Sequence, residues 1–290
     1  MDFISALLLL TSAILASFRN VLMKSFSPFS FKNREFYGIQ SLIFAAGTVV
    51  LFVVNAFSFE GISWFTVYMA LIYGAILLCA QWFYTIALSN GKTAVCVTIY
   101  SFGFLIPTLS GAIFWGETIT VCGAFGIAAV IPVILISGMG KKSNGKSGTA
   151  KSYLPPLLIA MVSSGALGIV QKIQQKSEYV GQTNTFVLIA FIFCFAVSLL
   201  FFLTMKKGPN QISRKNMCSC AAIGLFFSTC NLLNTFLAGK LDSAIFFPVL
   251  NIGGILLSSI LGILIYKEKL TKKDITVLIL AISSIVLVNF

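Results

Sequence analysis

The sequence predicts an all-α membrane protein, with ten transmembrane helices laid out as two inverted five-helix repeats. Three observations lead there. Hydrophobic residues fill 58% of the 290 positions, charged residues only 10%, and phenylalanine alone occurs 28 times; the mean hydropathy is +0.98. A soluble domain usually carries about 25% charged residues, and no water-soluble fold hides this much apolar surface. Second, apolar runs recur ten times at lengths that suit a bilayer, whose hydrocarbon takes about 20 mostly apolar helical residues to cross. Third, short motifs recur about 151 positions apart.

In chain order the runs fall at about 3–22, 37–57, 63–88, 93–114, 119–137, 153–175, 184–205, 216–238, 242–265 and 272–290. They are too long, and too poor in polar alternation, for barrel strands. The connections are short. The exception is Gly138–Tyr153, GMGKKSNGKSGTAKSY, whose Gly, Ser and Lys content reads as a linker. Thr120 and Thr271 stand where runs five and ten begin and are predicted N-caps; Asp274, three residues after Thr271, completes a capping-box pattern. Asp242 is the expected cap of run nine. Pro107 and Pro248 sit inside runs four and nine, where each removes a backbone donor and predicts a kink.

Basic residues sort the loops. The first, third, fifth, seventh and ninth carry seventeen of the twenty Lys and Arg; Lys172, Lys176 and Lys240 remain for the other side. This asymmetry predicts that the odd loops face the cytoplasm, with both termini extracytoplasmic. The net charge of +12 is thereby read as an anchor to an anionic inner leaflet of the bilayer, not as a nucleic-acid patch. Asp2, with no basic stretch before it, argues against a cleaved leader.

The recurrence is specific in place. FWGETIT at 114–120 and IYKEKLT at 265–271 each set a glutamate, Glu117 or Glu268, two residues after an aromatic and three before a threonine. Cys79 and Ala87 match Cys230 and Ala238 at the same spacing, and Lys24-Ser25 matches Lys176-Ser177 one residue further. The expected organisation is a first repeat over 1–137, a linker over 138–152 and a second repeat over 153–290. Five crossings being odd, the second repeat starts on the opposite side from the first, so the repeats are inverted, as in many secondary transporters with a mid-membrane site at the repeat interface. Two readings of Glu117 and Glu268 stay open: acceptors that stabilise their turns, or gating groups.

The stretch YTIALSNGKTAVCVTIYSFGFLIPTLSGAIFWGETIT, Tyr84–Thr120, resembles the end of an EamA repeat of the drug/metabolite transporter superfamily. An aromatic and Ala-Leu precede a small-residue helix with a central proline, then a Gly-Glu-x-aliphatic-Thr turn. Leu237–Thr271 echoes it, with Lys267 in place of the glycine. The resemblance implies a ten-helix carrier of small metabolites, often amino acids and often exported.

Polar residues within membrane runs must find partners or face a cavity. The candidate path residues are Gln81, Trp82 and Tyr84 in run three, Tyr100 in run four, Asn231 and Asn234 in run eight, and Asn251 in run nine. Asn231 and Asn234 are three apart and share a face. At equivalent repeat positions stand Arg19 with Asn20 and Gln171 with Lys172, either snorkelling to an interface or lining the cavity mouths, where each attracts a carboxylate or phosphate. The amides and hydroxyls also suit helix-to-helix glue.

No Asp or Glu lies deep in any run and histidine is absent, so the proton relays usual in driven carriers are missing. The seven cysteines lack zinc or disulfide spacing. No metal, cofactor, catalytic residue or phosphate loop is expected, and the chain is not read as an enzyme. The expected activity is export or exchange of a small neutral, zwitterionic or anionic solute by alternating access. A lipid flippase and a non-transporting sensor are the alternatives, and the oligomeric state stays open.

Overall fold

The computed structural model describes residues 3–26, 30–116, 121–138, 150–206, 214–241, 243–268 and 270–287. Among them are eleven α-helices and no strand: α1 (Phe3–Lys24), α2 (Arg34–Phe57), α3 (Trp64–Asn90), α4 (Thr93–Ser101), α5 (Leu105–Trp115), α6 (Val121–Gly138), α7 (Ala150–Gln175), α8 (Thr183–Thr204), α9 (Arg214–Lys240), α10 (Ser243–Tyr266) and α11 (Lys272–Leu287). The fourth apolar run is thus split into α4 and α5 by a 3-10 turn at Phe102–Phe104. Pro107 explains the position. It cannot donate to the carbonyl four residues earlier, that of Gly103, so the ladder loosens inside this turn. By contrast α10 runs without an assigned break past Pro248.

Local chemistry fixes the helix ends. The Ser63 hydroxyl accepts from the Thr66 amide at 3.1 Å and starts α3. Thr271 begins α11 as a capping box: its Oγ1 accepts from the Asp274 amide at 3.3 Å, and Asp274 Oδ2 accepts from the Thr271 amide at 2.7 Å. Thr120, Glu117 and Asp242 lie outside the described residues. The helix ends that precede the two glutamates match in backbone. Gly116 closes α5 at φ +68°, and Lys267, 151 positions on, follows α10 at φ +51°. A left-handed residue is a common helix terminator that glycine adopts without strain; Lys267 holds it despite its Cβ.

Among the described residues, seven stretches are long and apolar enough to cross a membrane: Phe3–Lys24, Arg34–Phe57, Trp64–Asn90, Thr93–Gly111, Ser152–Gln175, Val180–Thr204 and Asn216–Lys240. Cys122–Val133 and Leu250–Tyr266 are shorter apolar segments. The outer surface is oily, with Phe3, Phe57, Trp64, Ile113 and Leu264 exposed. The chain is an all-helical, multi-pass membrane protein.

Packing runs chiefly between the two halves of the sequence. α3 lies on α7 and α1 on α9; α2 lies on α8 and α9, α3 on α8, α1 on α10, α7 on α4 and α5, and α6 on α11. Small residues allow the closest approaches, as membrane helices require. A Cβ on Gly103 would fall 2.5 Å from the Met161 carbonyl oxygen of α7, and one on Gly74 would fall 3.1 Å from the Ala190 carbonyl oxygen of α8. One apolar core gathers Phe36, Phe44, Tyr73, Phe186, Phe191 and Phe227; a second joins α4, α6, α10 and α11 around Val97, Val133, Phe246 and Val277.

The two ends of the bundle hold different loops. At one end Lys24 Nζ donates to the Gly91 carbonyl at 2.5 Å and Lys92 pairs with Asp274 at 2.6 Å, bringing together the first, third and ninth loops. At the other, Gln182 Oε1 accepts from the Ser63 amide at 3.0 Å and Asn184 donates to Ser58 Oγ at 2.6 Å, joining the second and sixth.

Candidate functional site

A cavity of about 170 Å³ lies between the halves of the chain. Its wall takes Arg19 and Asn20 from α1, Tyr73 from α3, Tyr100 from α4, Pro107 from α5, Gln171 from α7, Asn231 and Asn234 from α9, and Asn251 from α10. Seven of the eleven path residues expected from the sequence thus meet on one surface, together with the expected kink residue Pro107. The side chain of Pro248 lies outside the described residues.

The polar wall is built by a network across three helices. Tyr73, fully buried, donates to Asn231 Oδ1 at 2.8 Å and accepts from Gln171 Nε2 at 2.9 Å. Gln171 also donates to Thr235 Oγ1 at 3.0 Å, and Thr235 donates back to the Asn231 carbonyl at 2.7 Å. Asn234 accepts from Ser12 at 2.7 Å, and Asn20 donates to Ser258 at 3.2 Å. These bonds fix α3, α7 and α9 to one another and α1 to α9 and α10 (each buried bond is worth about 1 kcal/mol net, and more to lose one-sidedly). The same side chains are therefore both glue and lining. The path residues expected from the sequence did not include Tyr73, Ser164 or Gly168. A signal existed on α7, where Ser164, Gly168 and Gln171 follow one another at helical spacing on one face.

Arg19 is the charged member of the wall. It is only 8% exposed. Its guanidinium carbon sits 4.5 Å from the centroid of the Phe227 ring and 5.7 Å from that of Tyr84, while its Nε is buried without a hydrogen-bond partner. It is turned toward the cavity, not toward the interface. Two ring faces return about 2 kcal/mol; desolvating a cation costs several. Among the described residues no carboxylate lines the cavity or pairs with Arg19.

The other expected residues lie elsewhere. Gln81 donates toward Gln40 Oε1 at 3.4 Å and Gln40 donates to Thr85 at 3.1 Å, a junction of α2 with α3. Trp82 packs edge-on against Tyr37 and Phe201, with centroids 5.1 and 5.4 Å away. Tyr84 backs the cavity, its ring 4.2 Å from that of Tyr100. Lys172 is 4% exposed and does not line the cavity.

Below the cavity, at the end that holds the first, third and ninth loops, Glu268 forms a latch. Its carboxylate pairs with Lys24 at 2.5 Å, accepts from the Thr93 amide at 3.0 Å, and accepts from Thr93 Oγ1 at 2.8 Å. An anion at the first turn of α4 meets the positive end of that helix's dipole. Tyr266 adds a donor to the Val21 carbonyl at 2.7 Å. Together these contacts join α1, α4 and α10. Among the described residues there is no group of three or more Cys, Asp or Glu placed to hold a metal.

These features define a multi-pass helical membrane protein with a buried polar cavity between its halves. Residues 153–290 match the model of the EamA-like transporter family, a family of the drug/metabolite transporter superfamily. A solved crystal structure is similar along 99% of this chain and 96% of its own, at a TM-score of 0.63 and 15% identity, a likeness of fold. No curated protein matches the chain.

Proposed function

We propose that the whole chain is a ten-crossing secondary carrier of two inverted repeats, moving a small polar metabolite across the cytoplasmic membrane by alternating access. The cargo is an amino acid or a similar neutral, zwitterionic or anionic solute, and the direction is export or exchange. The observation that carries this reading is the cavity itself. Its wall draws on α1, α3 and α4–α5 from the first half and on their sequence counterparts α7, α9 and α10 from the second. Inverted repeats put a substrate site at such an interface.

Other contacts support the two-fold relation. α3 on α7 has its counterpart in α9 on α1, α2 on α9 in α8 on α3, and α1 on α10 in α7 on α4–α5. Gly74 against α8 and Gly224 against α2 are matched close approaches. Gly116 and Lys267 share their left-handed backbone. The lysine asymmetry, with Lys24 and Lys92 at one end of the bundle, supports a cytoplasmic position for the latch end and extracytoplasmic termini.

In this mechanism the helices of the two repeats rock about the cavity. The Glu268 latch holds the cytoplasmic end shut in one state and must part in the other. Asn20, Gln171, Asn231, Asn234 and Asn251 offer donors and acceptors to the solute in both.

The test is solute entry into liposomes containing the purified chain. A carrier gives saturable flux that falls when Asn231 and Asn234 are both replaced by alanine in a variant that still folds. Movement of labelled lipid without solute flux would mean a flippase, and movement of neither a sensor. Reporter tags on both termini should read as extracytoplasmic.

A further inference from the structure

Resting on the carrier reading, we infer that Arg19 is the binding group for a carboxylate on the cargo, which restricts that cargo to organic acids and amino acids. Four observations combine. Arg19 lines the cavity and is more than nine-tenths buried. Its Nε has no hydrogen-bond partner, and the Oδ1 of its neighbour Asn20 has none. Against its head group lie the rings of Phe227 and Tyr84 and the hydroxyl of Tyr100, a hydrogen-bond partner, none of which carries a charge to neutralise it. Among the described residues the rest of the polar wall is uncharged: amides and hydroxyls of Asn20, Tyr100, Gln171, Asn231 and Asn251.

A guanidinium in a low-dielectric cavity draws an anion, and its planar fork of donors suits the two oxygens of a carboxylate. The charge count selects among anions. One cation and neutral co-ligands are balanced by a single negative charge. A phosphate dianion would leave a net negative charge buried with nothing to match it. Neutral amides around the fork can meet the remaining oxygens or an ammonium, so a zwitterion is accommodated, whereas a cation is repelled. Lys172, the sequence counterpart, does not line the cavity, so the site holds one fixed charge and takes one carboxylate at a time.

The test uses the purified chain and chemically matched pairs of monocarboxylates and their amides: acetate with acetamide, lactate with lactamide, and alanine with alaninamide. Thermal midpoints are measured across concentration, with inorganic phosphate as a further arm. Carboxylates should raise the midpoint and their amides should not. Arg19→Gln should abolish the difference and Arg19→Lys should retain part of it. Should Arg19→Gln fail to fold, Cys230 serves in the unaltered chain. It lines the same cavity, and the exposed Cys122 and Cys218 are internal controls. Carboxylates should slow its alkylation at least about tenfold relative to those controls, as occupancy of a shared small cavity requires.

Equal effects of acid and amide, no effect of either, stronger stabilisation by phosphate, or undiminished selectivity in Arg19→Gln would each overturn the assignment. Binding is read without flux. Absent transport with intact carboxylate selectivity would sink the carrier reading alone, and saturable flux of neutral amides would sink the anion site alone.

Discussion

Replacing Glu268 by alanine tests the latch. The carboxylate side chain is 9% exposed and that of its partner Lys24 is 16% exposed, so water screens the pair only in part. The substitution removes an ion pair at 2.5 Å and the acceptors of the Thr93 amide and hydroxyl. Breaking a buried pair from one side costs about 3–5 kcal/mol. Partial exposure, and the bond that Lys24 keeps to the Gly91 carbonyl, set the expectation at the lower end, about 3 kcal/mol. If the latch closes the cytoplasmic end, that energy moves the balance toward the open state on the order of a hundredfold. The assay is alkylation of Cys230 by an impermeant maleimide applied to inside-out vesicles. Modification should accelerate in Glu268→Ala, accelerate less in Glu268→Gln, and slow again when Lys24→Met removes the stranded cation. Unchanged Cys230 reactivity in a Glu268→Ala protein of normal abundance would refute the reasoning, as would a double variant no closer to wild type than the single one.

Three further outcomes follow from the geometry. Tyr73→Phe removes the hydroxyl between Gln171 and Asn231, leaving both buried amides short of a partner; a loss of about 1–3 kcal/mol should lower the denaturation midpoint and weaken solute affinity together. Gly103→Ala drives a methyl to 2.5 Å from the Met161 carbonyl oxygen, and the forced separation of the α4–α5 rod from α7 should cost about 1–3 kcal/mol, visible as a lower midpoint or poor membrane yield. Lys267→Gly relieves a side chain held at φ +51° and should raise stability by about 1 kcal/mol, read as a higher midpoint; a fall would mean that the lysine's own contacts outweigh the strain.

Much of the helix plan was legible in the sequence because a bilayer leaves few solutions. An apolar run must satisfy its own backbone, so runs at 63–88 and 216–238 became α3 (Trp64–Asn90) and α9 (Arg214–Lys240) with ends shifted by one or two residues. The Thr271–Asp274 cap is likewise local and was readable. The site was legible only in part. Asn231, Asn234 and Asn251 stood out because an amide inside an apolar run demands a partner. Nothing in the run distinguished them from Gln81, whose partner proved to be Gln40 across α2 and α3. Tyr73 drew no notice, since an aromatic in an oily helix is ordinary; only the helices around it show that its hydroxyl bridges two amides.

The sequence by itself determined the helical class, the order of the apolar segments, the Thr271–Asp274 cap and the internal echo around Glu117 and Glu268. Each is written in composition or short spacing, which the membrane reads one segment at a time. Tertiary structure decided which polar residues became lining and which became glue, and it turned Arg19 inward while leaving Lys172 off the cavity wall. It also set Glu268 on the first turn of α4, 175 residues away in sequence. Those outcomes depend on the rotation of each helix about its axis, and that rotation is fixed by packing against partners from the other half of the chain.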